Sequence, residues 1–141
     1  MKNYNEYIKE NNTDNKCFMV KNTSDYYQIY YLGGFNINSN SGHSRGGTVT
    51  LNSFAFSSTK NTNPTVKFLM SDISYMYVDE WKSYRKYTTN EFIEEYPDVA
   101  ESLYKKRFSF TRHKLGREMY QVLNKYVGNI DLYKTKNKYN L

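Results

Sequence analysis

The sequence predicts an α+β fold: a short N-terminal helix, a mainly antiparallel sheet, and a C-terminal helical unit ending in a basic hairpin. Three observations lead there. Between Cys17 and Lys60, runs rich in aromatic and β-branched residues alternate with clusters of Asn, Ser and Gly, the pattern of strands and turns. After Tyr87, apolar residues fall at helical spacing behind capping residues. Past Gly128, two short apolar-aromatic stretches flank a lysine-rich centre.

Residues 2–11 can form one short helix, with Tyr4, Tyr7 and Ile8 at helical spacing, although the segment is too polar to stand alone. Residues 17–20, 26–35 and 48–56 read as antiparallel strands. In the third, Val49 and Leu51 alternate with Thr48, Thr50 and Asn52, which suits a strand with one wet face. Tyr26, Tyr27, Tyr30 and Tyr31 form two pairs, so one ring of each pair faces each side of the sheet. Residues 36–47 make the longest glycine-rich loop. Residues 66–78 fit a helix or two short strands; the preferred reading is two strands split at Ser71 and Asp72, followed by a turn over 79–86.

The helical part starts with Thr88, Thr89 and Asn90 as N-caps for a helix bearing Phe92, Ile93 and Tyr96. Pro97 restarts the chain as a second helix through Val99, Leu103 and Tyr104. Thr111 caps a third helix that ends at Gly128, a C′ glycine. Residues 130–141 then form the hairpin, with Lys134, Lys136 and Lys138 at its tip. Residues 1–87 and 88–141 are thus two compositionally different segments. At 141 residues they can be one continuous compact domain.

Charge divides the chain more sharply than structure does. Residues 1–80 are balanced and residues 81–104 slightly acidic, whereas residues 105–141 carry Lys and Arg against only Glu118 and Asp131. Positive charge concentrated in one segment attracts polyanions, where the same charge scattered would mainly aid solubility. The 16 tyrosines and abundant Asn and Lys are the product of AT-rich coding, common in low-GC bacteria and their phages. Cys17 is the only cysteine, so no internal disulfide is expected, and one thiol with two histidines does not make a typical zinc site. No cofactor is expected. The absence of an apolar leader or spanning run predicts a soluble protein of the bacterial cytoplasm with no membrane partner.

At about 100° per residue, Leu115, Met119, Val122, Leu123 and Tyr126 line one face of the third helix and should pack inward. Opposite them lie His113, Arg117, Gln121 and Asn124, flanked by Lys114, Tyr120 and Lys125. Arg, Gln and Asn match base edges, and Lys serves phosphates as a point charge. Three helices and a hairpin are the layout of a winged helix, whose third helix enters the groove while the wing touches backbone. The stretch Thr111-Arg-His-Lys-Leu-Gly-Arg-Glu-Met-Tyr-Gln-Val-Leu123, with its Leu-Gly-Arg element and the terminal Tyr-Asn-Leu, resembles the C-terminal winged helix of phage and plasmid primase-helicases. The resemblance covers residues 88–141 and implies nucleic-acid binding. It also implies that Gly116 lets the third helix approach its neighbour. Helicase activity does not carry over, since no Gly-x-x-x-x-Gly-Lys-Ser/Thr loop precedes it.

The expected role is therefore non-catalytic nucleic-acid binding, in a phage or other mobile element. Arg112, His113, Lys114, Arg117, Gln121 and Asn124 would meet the groove, and Lys134, Lys136 and Lys138 the phosphates. His43 and Arg45, in the glycine-rich loop, could add a phosphate or partner contact. The alternative is a phage-encoded inhibitor of a host defence complex, anti-CRISPR-like in character, that grips protein or a protein–nucleic-acid complex. Arg45, Ser57-Ser58-Thr59 and Glu94-Glu95 lack the spacing of an ADP-ribosyltransferase, and no carboxylate or histidine spacing marks a nuclease.

Overall fold

The computed structural model describes residues 16–38, 47–70, 73–106, 109 and 112–139. The helix expected over 2–11, His43, Arg45 and Thr111 lie outside them. Six strands form one sheet: β1 (Cys17–Asn22), β2 (Tyr26–Asn38), β3 (Thr48–Thr59), β4 (Val66–Met70), β5 (Ile73–Tyr77) and β6 (Arg85–Tyr87). Their order is β4-β3-β2-β1-β6, and β5 also pairs with β3. Every pairing is antiparallel. The second half of β3 pairs with β4, from Ala55 to Ser58, and the first half with β5, from Thr48 to Asn52. The chain between 66 and 77 is therefore two strands, as the alternation suggested.

Among the described residues five helices follow or interrupt the strands: α1 (Val78–Trp81), α2 (Thr89–Glu95), α3 (Pro97–Lys105), α4 (Lys114–Asn124) and α5 (Val127–Tyr139). The segment expected as a turn over 79–86 instead holds most of α1 and β6. Thr88 caps α2 in a full capping box: its side chain accepts from the Glu91 amide, and the Glu91 carboxylate accepts from the Thr88 amide at 2.8 Å. Pro97 opens α3 at its first turn, where a missing N–H costs nothing.

The largest correction concerns the C-terminus. Residues 127–139 are the helix α5, so no basic hairpin follows α4 and the wing implied by the resemblance is replaced by a helix. Gly128 does not terminate α4, which ends at Asn124 with Lys125 as C-cap; it lies in the first turn of α5. Ile130 anchors α5 in the core, Tyr133 donates to Asn90 of α2 at 3.2 Å, and Lys134 reaches Glu101 of α3. The segment is helical because of what its neighbours offer.

Helices α2–α5 cover the front of the sheet. The front core gathers Phe18, Tyr31, Phe54 and Phe56 from the strands with Phe92, Leu103, Leu115 and Leu123 from the helices. Phe18 stacks on Phe92 with ring centroids 4.2 Å apart, tying α2 to the interior strand β1. Sheet and helical segments thus share one core. A second cluster behind the sheet holds Met19, Leu32, Leu51, Met76, Trp81 and Tyr84, closed by α1. The tyrosines of β2 divide as expected: Tyr27 and Tyr31 pack to the front, Tyr30 to the back.

The register of β2 against β3 slips between Leu32 and Gly34, leaving Gly33 as a bulge. A Cβ on Gly33 would fall 2.3 Å from Leu115 Cδ2, so its lack of a side chain lets the first turn of α4 rest on the sheet. Gly116, to which the resemblance assigned a close approach, is itself buried within α4. At the outer edge of β4, Lys106 donates to the Val66 carbonyl at 3.0 Å and Ser102 to the Pro64 carbonyl at 3.1 Å.

Candidate nucleic-acid interface

The exposed side of α4 is built by a division of its residues. Leu115, Met119 and Leu123 are buried and Val122 and Tyr126 partly so, which fixes the inward stripe read from the sequence. Glu118, the only acid on the helix, is also turned inward: it accepts from the Tyr31 hydroxyl at 2.7 Å and lies 3.6 Å from Lys16. Burial, and then this carboxylate, push the Tyr31 hydroxyl well above its usual range. What remains outside is cationic and polar. Lys114, Arg117, Gln121, Asn124 and Lys125 are exposed, as is Arg112 just before the helix.

The helix begins at Lys114, with His113 as N-cap in an extended conformation and no side-chain cap bond. Its first turn carries no acid. The positive dipole end therefore meets Arg112 and Lys114 at one point, which raises the local potential further. His113 is half-buried and stacks on Phe68 with centroids 4.4 Å apart and planes 26° apart, so its ring is engaged with β4. Asn124 accepts from the Tyr104 hydroxyl at 3.0 Å, and Tyr104 stacks on Tyr120.

The lysines of α5 are placed differently from those of α4. Lys134 Nζ bonds both oxygens of Glu101 at 2.9 Å and lies 4.0 Å from Asp98. The Glu101 hydrogen bond raises the Lys134 ammonium, and the reciprocal bond holds Glu101 below its usual value. Lys136 faces Glu94 at 3.8 Å, and Lys105 faces Glu101 at 3.5 Å. Lys134 and Lys136 therefore hold α5 to the acidic α2–α3 pair. They stand on a helix and not on the hairpin tip expected of them. The Lys138 side chain, with His43 and Arg45, lies outside the described residues.

Arg112, His113, Lys114, Arg117, Gln121 and Asn124 are brought together on one element, and Lys125 joins them. Two exposed aromatic residues on the front of the sheet were not singled out from sequence. Phe68 on β4 is 41% exposed and Tyr75 on β5 is 68% exposed. Alternation with buried Met76 and Val78 turns Tyr75 to the opposite side of the sheet, but only the strand pairing reveals that this is the side carrying α4. Among the described residues no group of three or more His, Cys, Asp or Glu could hold a metal, and no helix is long and apolar enough to cross a membrane. Comparison with protein-family models, curated proteins and solved structures returns no match for this chain.

Proposed function

We propose that this is a non-catalytic nucleic-acid-binding protein whose contact surface is the exposed side of α4. The observation that carries the reading is the inward turn of Glu118, which leaves Arg112, Lys114, Arg117 and Lys125 outside with Gln121 and Asn124 and no carboxylate among them. The pairing of Lys134, Lys136 and Lys105 with acids sharpens it, because the charge of those three lysines is directed at α2 and α3. Phosphate oxygens would meet Arg112, Lys114 and Lys125, while Arg117 and Gln121 stand where a base edge can be reached.

Binding of labelled DNA and RNA, measured by fluorescence anisotropy across a range of salt, tests this. Arg112→Gln, Lys114→Gln and Lys125→Gln should each weaken binding and lower the log–log salt slope by about 0.7–1. Lys134→Gln should leave the slope unchanged. Absence of binding at micromolar protein and moderate salt would sink the reading, as would a loss from Lys134→Gln equal to that from Lys114→Gln.

A second reading is an anti-CRISPR-like inhibitor that docks on a host protein or ribonucleoprotein. Its supporting observation is a shallow groove of about 340 Å³ on the other side of the sheet, where exposed Tyr26 and Leu69 lie beside Lys67 and Gln28. Binding to a purified effector complex that is lost in Leu69→Asp but kept in Lys114→Gln would favour it.

A further inference from the structure

We infer that the polyanion is single-stranded, and that its bases stack on an aromatic track running along the outer edge of β3, with Arg112 and Lys114 midway along it. The inference rests on the proposed function and specifies its ligand. Four placements lead to it.

First, strand pairing sets the order of side chains along that edge. Phe68 stands opposite Phe56, and Tyr75 opposite Thr50. The six steps along β3 from Thr50 to Phe56 span about 20 Å at the usual rise. Second, both rings lie on the front of the sheet. Phe56 belongs to the front core, and Thr50 alternates with Val49 and Leu51, which belong to the back.

Third, the first turn of α4 lies between the two rings. Leu115 rests on Gly33 next to the Asn52 carbonyl, and His113 stacks on Phe68. Asn52 is the last residue of β3 to pair with β5. Arg112 and Lys114 therefore stand at the boundary where the helix-covered half of the front meets the half bearing Tyr75. Fourth, that second half is accessible, since Asn52 and Tyr75 are exposed. The Tyr75 ring is held edge-on to Tyr77, with centroids 6.5 Å apart at 85°, so it is positioned by a neighbour and yet offers a face.

An exposed tyrosine ring, two cations and a histidine–phenylalanine stack in a row suit a chain that alternates flat apolar groups with negative charge. A single strand presents both, and a duplex hides its base faces in its own stack. Stacking on aromatic side chains beside a positive groove is the general means by which proteins hold single strands without reading sequence.

The test uses the full chain and three labelled probes of about 15 nucleotides, a length that covers typical single-strand sites: oligo-dT, oligo-U and a mixed-sequence duplex. Both single strands should bind about tenfold or more tighter than the duplex, and their ratio tells whether the sugar matters. Tyr75→Ala should weaken single-strand binding by about 5- to 100-fold, the equivalent of one stacked base. Tyr75→Phe should keep it, and duplex binding and melting temperature should not move in either variant. Duplex binding as tight as single-strand binding, or full single-strand affinity in Tyr75→Ala, would overturn the track while leaving the α4 surface in place. Binding to none of the three probes would remove the proposed function itself.

Discussion

Replacing Gly33 by alanine should destabilise the protein, and the same change at Gly34 should not. An alanine Cβ at 33 would stand 2.3 Å from Leu115 Cδ2, 3.6 Å from Leu115 Cγ and 3.5 Å from the Asn52 carbonyl. Carbon atoms rest at about 3.5–4.0 Å, so Leu115 must retreat by more than an ångström from a site where it is only 3% exposed. Overpacking of this kind costs about 1–3 kcal/mol. Gly33 has no positive φ, so alanine also brings the small entropic gain of about 0.4–1 kcal/mol that a Gly→Ala change gives where the backbone allows it. The net loss is about 1–2 kcal/mol, or a fall of about 3–10 °C in Tm for a chain of this size. Nothing lies within 4 Å of a Cβ on Gly34, so only the entropic gain remains there. Thermal and urea melts of both variants measure the contrast, and a double-mutant cycle with Leu115→Ala assigns it. With the leucine side chain removed, Gly33→Ala should cost almost nothing. If Gly33→Ala melts with the wild type, or costs as much without the Leu115 side chain as with it, the bulge is not what seats α4. Because Arg112 and Lys114 ride on that turn, the variant should also bind nucleic acid more weakly.

Two further outcomes follow from the charges. Lys134→Ala should lower stability by up to about 1 kcal/mol, the upper end for partly exposed pairs, because both Glu101 oxygens lose a partner. Since Lys134 holds Glu101 below its usual 4.5, this contribution is present above that value and disappears as the pH falls through the lower folded value. Wild type and variant should then converge in acid melts, and a gap that persists below that range would point to packing instead. Burial raises the Tyr31, Tyr84 and Tyr96 hydroxyls above 10.0. The unfolded chain releases these protons first, so stability is intact below pH 10.0 and falls as the pH rises beyond it. Absorbance titration should show these tyrosines ionising only as the protein unfolds; reversible ionisation of all tyrosines with the fold intact would contradict their burial.

The sequence foretold those parts of the fold that local chemistry decides. The alternation of β3, the capping residue Thr88, the proline at the start of α3 and the inward stripe of α4 are each written in a few adjacent residues. The C-terminus misled because α5 has no apolar stripe of its own. Its apolar residues Ile130 and Leu132 alternate as a strand would, and Leu132 is exposed in the helix. Its stabilising partners, Glu94, Glu101 and Asn90, lie more than thirty residues away. The candidate site was half legible for the same reason. Helical spacing grouped Arg112 to Asn124, whereas the sorting of lysines into paired and exposed sets required the packing of α5 on α3. The placement of Tyr75 on the same side of the sheet as α4 required the strand pairing.

The contact of Lys106 with the Val66 carbonyl also bears on how this chain behaves at high concentration. Thr65 turns its carbonyl toward β3, where it accepts from Thr59, so the next carbonyl, that of Val66, points away from the sheet. An outward carbonyl on an edge strand invites another strand to join. Here an ammonium group from α3 already occupies it, and Ser102 occupies the carbonyl of Pro64 just before it. A strand from a second copy could enter that corner of β4 only by displacing two donors from the protein's own helix. A tyrosine-rich sheet, which would otherwise be a nucleus for its own aggregation, is closed there by the same helical layer that builds its front core.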